Sequence, residues 1–168
     1  IGTVTATDTD TDDSSIVFSV SGSELAITSG GVLTFVSAPD YETKSSYSAT
    51  VTASDGTNSS TQDITVTITD VDDVAPAFTS NATFSAAENQ TAIGTVTATD
   101  TDTDDSSIVF SVSGSELAIT SGGVLTFASA PDYETKSSYS ATVTASDGTN
   151  SSTQDITVNV TNVNEKPV

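Results

Sequence analysis

The feature that most constrains this chain is a long internal repeat. Ile1 and Ile93 open two copies, and residues 1–35 are identical to residues 93–127. A repeat of this length holds a whole domain, whereas one turn of a solenoid needs far fewer residues. The 168-residue chain therefore contains two small domains, which we place at residues 1–76 and 77–168.

Composition excludes several classes of protein and site. The chain has no Cys and no His, so disulfides, zinc fingers, cysteine nucleophiles and histidine general bases are absent. It carries 23 acidic and 3 basic residues, for a formal charge of −20. This charge disfavours nucleic acid and anionic membranes as partners and favours cations. No apolar run is long enough to span a bilayer, so we expect no membrane insertion.

Apolar and polar residues alternate along both copies, which predicts β-strands with one buried face. In the second copy the alternation predicts seven short strands, among them one around residues 96–98 and a long one at residues 139–145, and no stretch has helical spacing. Gly122-Gly123 and the Asp-Gly turn at residues 147–150 separate strand candidates. Acidity with few aromatic residues could indicate disorder, but the ordered alternation favours an all-β, Ig-like sandwich.

The first copy has no counterpart of residues 77–92, which supply the opening strand of the second copy. We therefore expect an exposed sheet edge in copy one, or a strand donated by a neighbouring molecule. The sequence leaves open whether this strand was cut away with the rest of a longer array, was not observed, or never belonged to copy one.

Acidic residues recur in clusters at equivalent places. The clusters are A-T-D-T-D at 98–102, D-Y-E at 40–42 and 132–134, and D-V-D-D-V-A-P at 70–76. Two carboxylates ~4 Å apart repel by about 4 kcal/mol at an effective dielectric of roughly 20, so gathered acids call for a cation. Calcium fits because it takes about six to eight oxygens in flexible geometry. Magnesium requires stricter octahedral geometry, and zinc prefers nitrogen or sulfur.

In this order, the clusters resemble the cadherin repeat over essentially the whole chain. The matching motifs are Glu88-Asn89, residues 98–102, residues 132–134, Asp147-Gly148 and the linker at 70–76. The resemblance implies tandem seven-stranded, Greek-key β-sandwiches, the first of which lacks its first strand. It also implies calcium ions (Ca²⁺) between successive repeats.

Carried over motif by motif, the resemblance implies an inter-repeat calcium site that draws on both copies. The upstream copy would give its D-Y-E acids and the linker, and the downstream copy its D-x-D acids and the aspartate of its D-G turn. The implied ligands are Asp40, Glu42, Asp70, Asp72, Asp73, Asp100, Asp102 and Asp147, together with the main-chain carbonyls of Val71 and Val74. We expect two or three ions, because copy one lacks the early-strand glutamate and Val74 offers only a carbonyl.

Each free end would hold half a site that binds calcium weakly or not at all. The residues facing an upstream repeat would be Asp8, Asp10 and Asp55. The residues facing a downstream repeat would be Glu88, Asp132, Glu134, Asn162, Asn164 and Glu165. The remaining acids of the D-x-D loops are interpreted as turn formers or solvated charges; they are Asp12, Asp13, Asp104 and Asp105.

The resemblance implies a calcium-rigidified spacer or adhesion segment of a large cell-surface or secreted protein. The absence of Cys and the Thr/Ser/Asp-rich composition favour a bacterial one. Expected partners are neighbouring repeats of the same protein, with a homophilic or polysaccharide partner left open. The alternative is a calcium-dependent carbohydrate-binding module, although the sequence lacks an evident aromatic cluster. We expect no enzyme, because a glycosidase carboxylate pair needs an apolar pocket that raises the pKa of one acid.

Overall fold

The computed structural model describes residues 1–166. The chain divides into two compact units, Ile1–Val71 (unit 1) and Asp72–Val168 (unit 2). The sequence-based domain boundary after Pro76 stays a prediction, because the coil that precedes it forms no strand that would assign it to one repeat.

Unit 1 contains two small antiparallel sheets. Its strands are β1 (Gly2–Thr3), β2 (Val17–Val20), β3 (Leu25–Ile27), β4 (Val32–Phe35), β5 (Ser46–Ser54) and β6 (Ser59–Thr67). One sheet has the strand order β1-β4-β3 and the other has the order β2-β5-β6. A 3₁₀ turn at Asp13–Ser15 precedes β2, and the carboxylate of Asp12 caps it by accepting the N–H of Ser14.

Unit 2 repeats this plan with additional strands. Its strands are β7 (Ala77–Phe78), β8 (Thr83–Ala87), β9 (Ala92–Thr95), β10 (Ala98–Thr99), β11 (Val109–Val112), β12 (Leu117–Ile119), β13 (Val124–Phe127), β14 (Ser138–Ser146) and β15 (Ser151–Thr161). They form a β11-β14-β15-β8 sheet, a β12-β13-β9 sheet and a β10-β7 pair. A 3₁₀ turn at Asp105–Ser107 precedes β11. The predicted all-β fold is confirmed.

The longest pairing in unit 2 is the hairpin of β14 and β15, which joins nine residue pairs. Its turn is built by Asp147, whose Oδ1 accepts the N–H groups of Thr149 and Asn150 at 2.6 Å each. Gly148 has φ 109°, a conformation that glycine adopts without steric cost. The hairpin predicted at this D-G turn is therefore present.

Strand β8 distinguishes the two units. It runs parallel to β15, and Thr83–Ala87 pairs with Thr157–Thr161. The corresponding edge in unit 1, residues 65–69, has no such partner among the described residues. Within the residues described here, β8 therefore has no counterpart in unit 1, and whether the first copy has a first strand of its own stays open.

The presence of β8 changes the burial of an almost identical core. Residues 1–66 and 93–158 differ at a single position. Val158 of β15 is 0% exposed, whereas its counterpart Val66 is only half-buried. Ala86 of β8 belongs to the buried core cluster of unit 2. A strand laid along the sheet edge thus removes apolar surface from water in unit 2 that unit 1 leaves accessible.

The strand predicted around Val96 and Ala98 is divided into β9 and β10. The chain changes partner here, because β9 pairs with β13 whereas β10 pairs with β7. Between them, Val96 is 1% exposed and donates its N–H to the carbonyl oxygen of Gly123 at 2.9 Å. Gly123 has φ 86°, and a Cβ there would lie 2.2 Å from the carbonyl oxygen of Val96. Only glycine fits this close approach.

Candidate metal centre

The linker segment, residues 72–76, is hydrogen-bonded to the loop that follows β10. Oδ2 of Asp102 accepts the main-chain N–H groups of Asp73 and Val74, both at 2.9 Å. The loop itself is folded by Asp100, whose Oδ1 accepts the N–H of Asp102 at 3.1 Å. A carboxylate that accepts two consecutive N–H groups fixes the main chain of the linker against the loop.

The hairpin that joins β14 to β15 is also hydrogen-bonded to the linker. Nδ2 of Asn150 donates to the main-chain oxygen of Asp72 at 3.2 Å and to its Oδ1 at 3.0 Å. The hydroxyl of Ser152 donates to the carbonyl oxygen of Pro76, which is fully buried. The sequence D-G-T-N predicts Asn150 only as a turn residue, so its bonds to the linker were not predicted; its place in that turn is the only sequence signal for them.

The acids interpreted as turn formers shape the same loop. Asp104 caps the 3₁₀ turn by accepting the N–H of Ser106 at 2.9 Å. Oδ1 of Asp105 accepts the N–H of Asp100 at 2.8 Å. Asp105 therefore positions Asp100 through the main chain, while Asp104 shapes the turn that carries Asp105.

Three carboxylates beside the linker each bury one oxygen that has no hydrogen-bond partner. These oxygens are Oδ2 of Asp100, Oδ1 of Asp102 and Oδ2 of Asp147. The other oxygen of each carboxylate already accepts main-chain N–H groups. A buried carboxylate oxygen without a partner is costly, so each of the three calls for a ligand. An anionic, all-oxygen donor set fits calcium, whereas zinc prefers nitrogen or sulfur.

The neighbouring carboxyl groups of Asp100 and Asp102 shift each other's pKa in opposite directions. The carboxylate of Asp102, followed by partial desolvation, raises the pKa of Asp100. The interaction with the neighbouring carboxyl group of Asp100, followed by the hydrogen bond from the N–H of Val74, lowers the pKa of Asp102. The raised pKa of Asp100 reflects unrelieved negative charge, which a cation would neutralise.

Unit 1 brings together the acids predicted for the upstream copy. The main-chain N–H of Glu42 lowers the pKa of its own carboxyl group. Desolvation and the carboxylates of Asp40 and Asp70 raise this pKa by more, so that it is raised overall. The N–H and hydroxyl groups of Thr43 lower the pKa of Asp40. Val71, which follows Asp70, is 66% exposed. The three acids thus form one anionic group.

A second acidic cluster in unit 2 surrounds Glu88, which is 3% exposed. One oxygen of Glu88 accepts the N–H of Tyr133 at 2.8 Å, and the other accepts the N–H of Val163 at 2.7 Å. Carboxylate oxygens of Glu88, Asp132 and Glu134 lie within 4.8 Å of one another. These three residues were predicted as part of the downstream half-site. The D-Y-E acids of unit 1 have no such glutamate beside them among the described residues.

Amide side chains connect this cluster to the segment that follows β15. Nδ2 of Asn162 donates to Oε1 of Glu134 at 2.6 Å. Nδ2 of Asn89 donates to Oε1 of Glu165 at 2.6 Å. Asn89 has φ 62°, a left-handed conformation that asparagine tolerates better than most residues.

The structure therefore places the predicted ligands in two groups. Unit 1 brings together Asp40, Glu42 and Asp70, with Val71 next in the chain. Unit 2 gathers Asp72, Asp73, Val74, Asp100 and Asp102 at the linker, with Asp147 in the turn that holds it. That the two groups share calcium ions stays a prediction.

Sequence comparisons give the family. Residues 82–161 match the cadherin domain family. The Protocadherin-like wing polarity protein stan of Drosophila melanogaster is 35% identical over 194 residues. That alignment covers 98% of this chain and 5% of that protein, so the chain corresponds to a small part of its relative.

Solved structures give the same result. The EC1-2 fragment of human Protocadherin-24 is 21% identical with a TM-score of 0.76, covering 96% of this chain and 88% of that one. Mouse Cadherin-23 EC22-24 is 24% identical with a TM-score of 0.71, covering 88% of this chain and 54% of that one. At these identities the likeness shows the fold, and it agrees with the family match. The chain is a tandem of cadherin-like repeats.

Proposed function

We propose that this chain is a calcium-rigidified spacer or adhesion segment of a large cell-surface or secreted protein. The observation that carries the proposal is the set of buried, partnerless oxygens on Asp100, Asp102 and Asp147. Calcium, when bound, supplies positive charge and several coordination positions for such oxygens. The cadherin family match supports the general adhesive role.

Each group of acids has a part in the proposed mechanism. Asp102 holds the linker through one oxygen and keeps the other for a ligand. Asp100 and Asp147 each provide a further oxygen. The acids of unit 1 supply the upstream share of ligands, with the carbonyls of Val71 and Val74 as further donors.

Charge relief explains why a cation would stiffen the pair of repeats. Without a cation, two acidic groups in one junction repel each other by about 4 kcal/mol per carboxylate pair at ~4 Å and an effective dielectric of roughly 20. Neutralised carboxylates no longer push the repeats apart. The junction then changes from a hinge to a cross-linked joint, and the repeats would form a rod segment.

The proposed setting is extracellular, and the proposed partners are neighbouring repeats of the same protein, with homophilic contact left open. Within residues 1–166, no helix has the length and hydrophobicity needed to cross a membrane. A non-enzymatic role is part of the proposal. The bacterial origin inferred from composition stays a prediction, since the relatives named above are animal proteins.

The test compares the chain in calcium and in chelator by small-angle X-ray scattering and by thermal melting. Extracellular calcium modules have dissociation constants of roughly 10⁻⁴ to 10⁻³ M, so millimolar calcium is sufficient. We expect calcium to narrow the distribution of molecular shapes and to raise the melting temperature, because a ligand that binds only the folded state stabilises it. Superimposable scattering and melting curves in the two buffers would contradict the proposal.

The carbohydrate-binding alternative has few exposed aromatic side chains to use in the described residues. Within residues 1–166 each unit presents one that could stack on a sugar ring; they are Tyr41 and Tyr133, at 37% and 38% exposure. Saturable binding to an insoluble polysaccharide in a pull-down would favour this alternative over a spacer.

A further inference from the structure

Two of the three basic residues of this acidic chain occupy the same place in the two units. Lys44 directly follows the D-Y-E-T sequence of unit 1, and Lys136 directly follows that of unit 2. With 23 acidic residues in the chain, many carboxylates could accept such a charge. Each lysine pairs with a glutamate that lies 20 residues earlier in its own unit. Both units therefore place a paired lysine beside the acids that the proposed function uses.

In unit 1 the ammonium group of Lys44 is held on two sides. Its Nζ donates to both carboxylate oxygens of Glu24 at 2.6 Å, and it lies 4.6 Å from the centre of the Tyr47 ring. Tyr47 in turn packs edge-on against Phe35, with the ring centres 5.1 Å apart. A carboxylate and the negative face of an aromatic ring both attract an ammonium group. We name the set Glu24, Lys44 and Tyr47 the lysine clamp of unit 1.

Both partners of Lys44 are fixed by strands. Glu24 directly precedes β3, and its main-chain oxygen accepts the N–H of Val36, directly after β4, at 2.9 Å. Tyr47 lies in β5, where it pairs with Val66 of β6. Strands β3 and β5 belong to different sheets of unit 1. The lysine clamp therefore ties the loop between β4 and β5 to both sheets of the unit.

The main chain of Lys44 closes the turn that carries the D-Y-E acids. Its N–H donates to the main-chain oxygen of Asp40 at 2.9 Å. Within the turn, the N–H and the hydroxyl of Thr43 donate to the two carboxylate oxygens of Asp40 at 3.1 and 3.0 Å. The turn thus begins at Asp40 and ends at Lys44, and Glu42 lies inside it. Because the lysine clamp fixes the side chain of Lys44, it also fixes the end of this turn.

Unit 2 repeats the arrangement. Nζ of Lys136 donates to Oε1 of Glu116 at 2.5 Å and lies 4.4 Å from the centre of the Tyr139 ring. The N–H of Lys136 donates to the main-chain oxygen of Asp132 at 2.9 Å. The set Glu116, Lys136 and Tyr139 is the lysine clamp of unit 2, and it provides a matched control within the same molecule.

We propose that the lysine clamp of unit 1 keeps the D-Y-E loop ordered when no calcium is bound and so prepares its acids for the ion. The purpose of this order rests on the proposed calcium function, whereas the order itself requires no ion. Surface loops open with free energies that begin near zero, so a few added contacts shift the population of the ordered loop. A site whose ligands are already ordered loses less conformational freedom on binding. Lys44 is thus a positioning residue that acts through Asp40 and Glu42.

The Glu24→Gln/Lys44→Met variant tests the order of the loop. It removes one negative and one positive charge, so the formal net charge stays −20. In chelator, protection against hydrogen exchange at residues 43 and 44 is expected to fall roughly fivefold, because an exposed ion pair and an exposed cation–π contact are lost together. The matched Glu116→Gln/Lys136→Met variant should instead lower protection at residues 135 and 136. Unchanged protection at residues 43 and 44 in the unit 1 variant would overturn the proposal.

Calorimetric titration with calcium separates positioning from a merely structural role. The unit 1 variant is expected to bind calcium about threefold more weakly, because its D-Y-E loop must be ordered on binding. The unit 2 variant should bind at the linker like the wild type, since its lysine clamp holds the other D-Y-E loop. Unchanged affinity in the unit 1 variant, or equal weakening in both variants, would overturn the positioning role. If the wild type binds no calcium, the proposed function fails, and the exchange result alone decides whether the lysine clamp orders the loop.

Lys44→Arg tests whether the contacts of the ammonium group are the cause. A guanidinium group keeps the positive charge, pairs with a carboxylate through two N–H groups and stacks on aromatic rings. We expect protection at residues 43 and 44 and calcium affinity to match the wild type. Protection as low as in the Glu24→Gln/Lys44→Met variant would show that these contacts do not order the loop, and would overturn the proposal.

Discussion

Asp102 and Val74 lie 28 residues apart in the chain, yet the carboxylate of Asp102 accepts the main-chain N–H of Val74 at 2.9 Å. The same oxygen accepts the N–H of Asp73, while the other oxygen is buried without a hydrogen-bond partner. One side chain therefore fixes the linker and also presents an oxygen that calls for a ligand. The carboxylate of Asp102 therefore links the fixed main chain of the linker to the proposed metal centre.

Asp102→Ala should release the linker. The N–H groups of Asp73 and Val74 would lose their acceptor, so both should exchange faster with solvent, as measured by hydrogen exchange with NMR detection. Asp10→Ala is the matched control, because Asp10 holds the same position in unit 1. Equal exchange at residues 73 and 74 in the wild type and in Asp102→Ala would mean that the linker is held by other contacts.

The two copies provide a matched test of the core. Val158→Ala should destabilise unit 2 by about 1.5–3 kcal/mol, because Val158 is fully buried. Val66→Ala should cost unit 1 under about 1 kcal/mol, because the same side chain is half-buried there. Native-state hydrogen exchange of the β15 and β6 amides measures each loss separately. Equal losses of stability for Val158→Ala and Val66→Ala would show that the burial provided by β8 does not stabilise unit 2.

Glu88→Ala should destabilise unit 2 by about 1–3 kcal/mol, since the main-chain N–H groups of Tyr133 and Val163 lose a charged, buried acceptor. Glu116→Ala is the control: Glu116 forms an exposed ion pair with Lys136, and removing it should cost about 0–1 kcal/mol. Urea denaturation measures the free energy of unfolding of both variants. If Glu88→Ala lowers the free energy of unfolding no more than Glu116→Ala does, the hydrogen bonds of Glu88 do not stabilise unit 2.

The contacts of Asp102 should persist in mildly acidic buffer. The interaction with the neighbouring carboxyl group of Asp100, followed by the hydrogen bond from the N–H of Val74, lowers the pKa of Asp102 below its ordinary value of 3.8. A lowered pKa means that the stabilisation is present above 3.8 and is lost as the pH falls through the lower folded-state value. Protonation of Asp100, whose pKa is raised, can change nearby NMR shifts above pH 3.8. In calcium-free buffer, the Asp73 and Val74 amides should nevertheless stay protected from hydrogen exchange to below pH 3.8, and loss of protection at both amides above that pH would contradict the assignment.

Much of the fold was predictable because period-two alternation reports directly on strands with one buried face. The alternation around Tyr139 predicted β14, and the D-G turn at Asp147 predicted the hairpin to β15. The division at Val96 was not predictable from alternation, because it depends on which sheet the chain joins on each side. Ala77–Phe78 was also missed, since two residues carry no detectable period.

The acids of the candidate site were predictable from the sequence, but their tertiary hydrogen bonds were not. The positions of its acids follow from a repeated motif, so Asp100, Asp102 and Asp147 could be named from the sequence. The bonds from Asn150 to Asp72 span 78 residues and depend on tertiary packing, which no local pattern reports. The sequence also could not show that Glu88 is buried and binds main-chain N–H groups.

Calorimetric titration with calcium tests the central claim most directly. The wild type is compared with the Asp100→Asn/Asp102→Asn double variant and with Asp8→Asn/Asp10→Asn, which removes the same charges from the same motif in unit 1. We predict binding at roughly 10⁻⁴ to 10⁻³ M in the wild type and in the unit 1 variant, and loss of the binding heat in the Asp100→Asn/Asp102→Asn variant. No binding heat in the wild type, or equal heat from all three proteins, would contradict a calcium site at the linker.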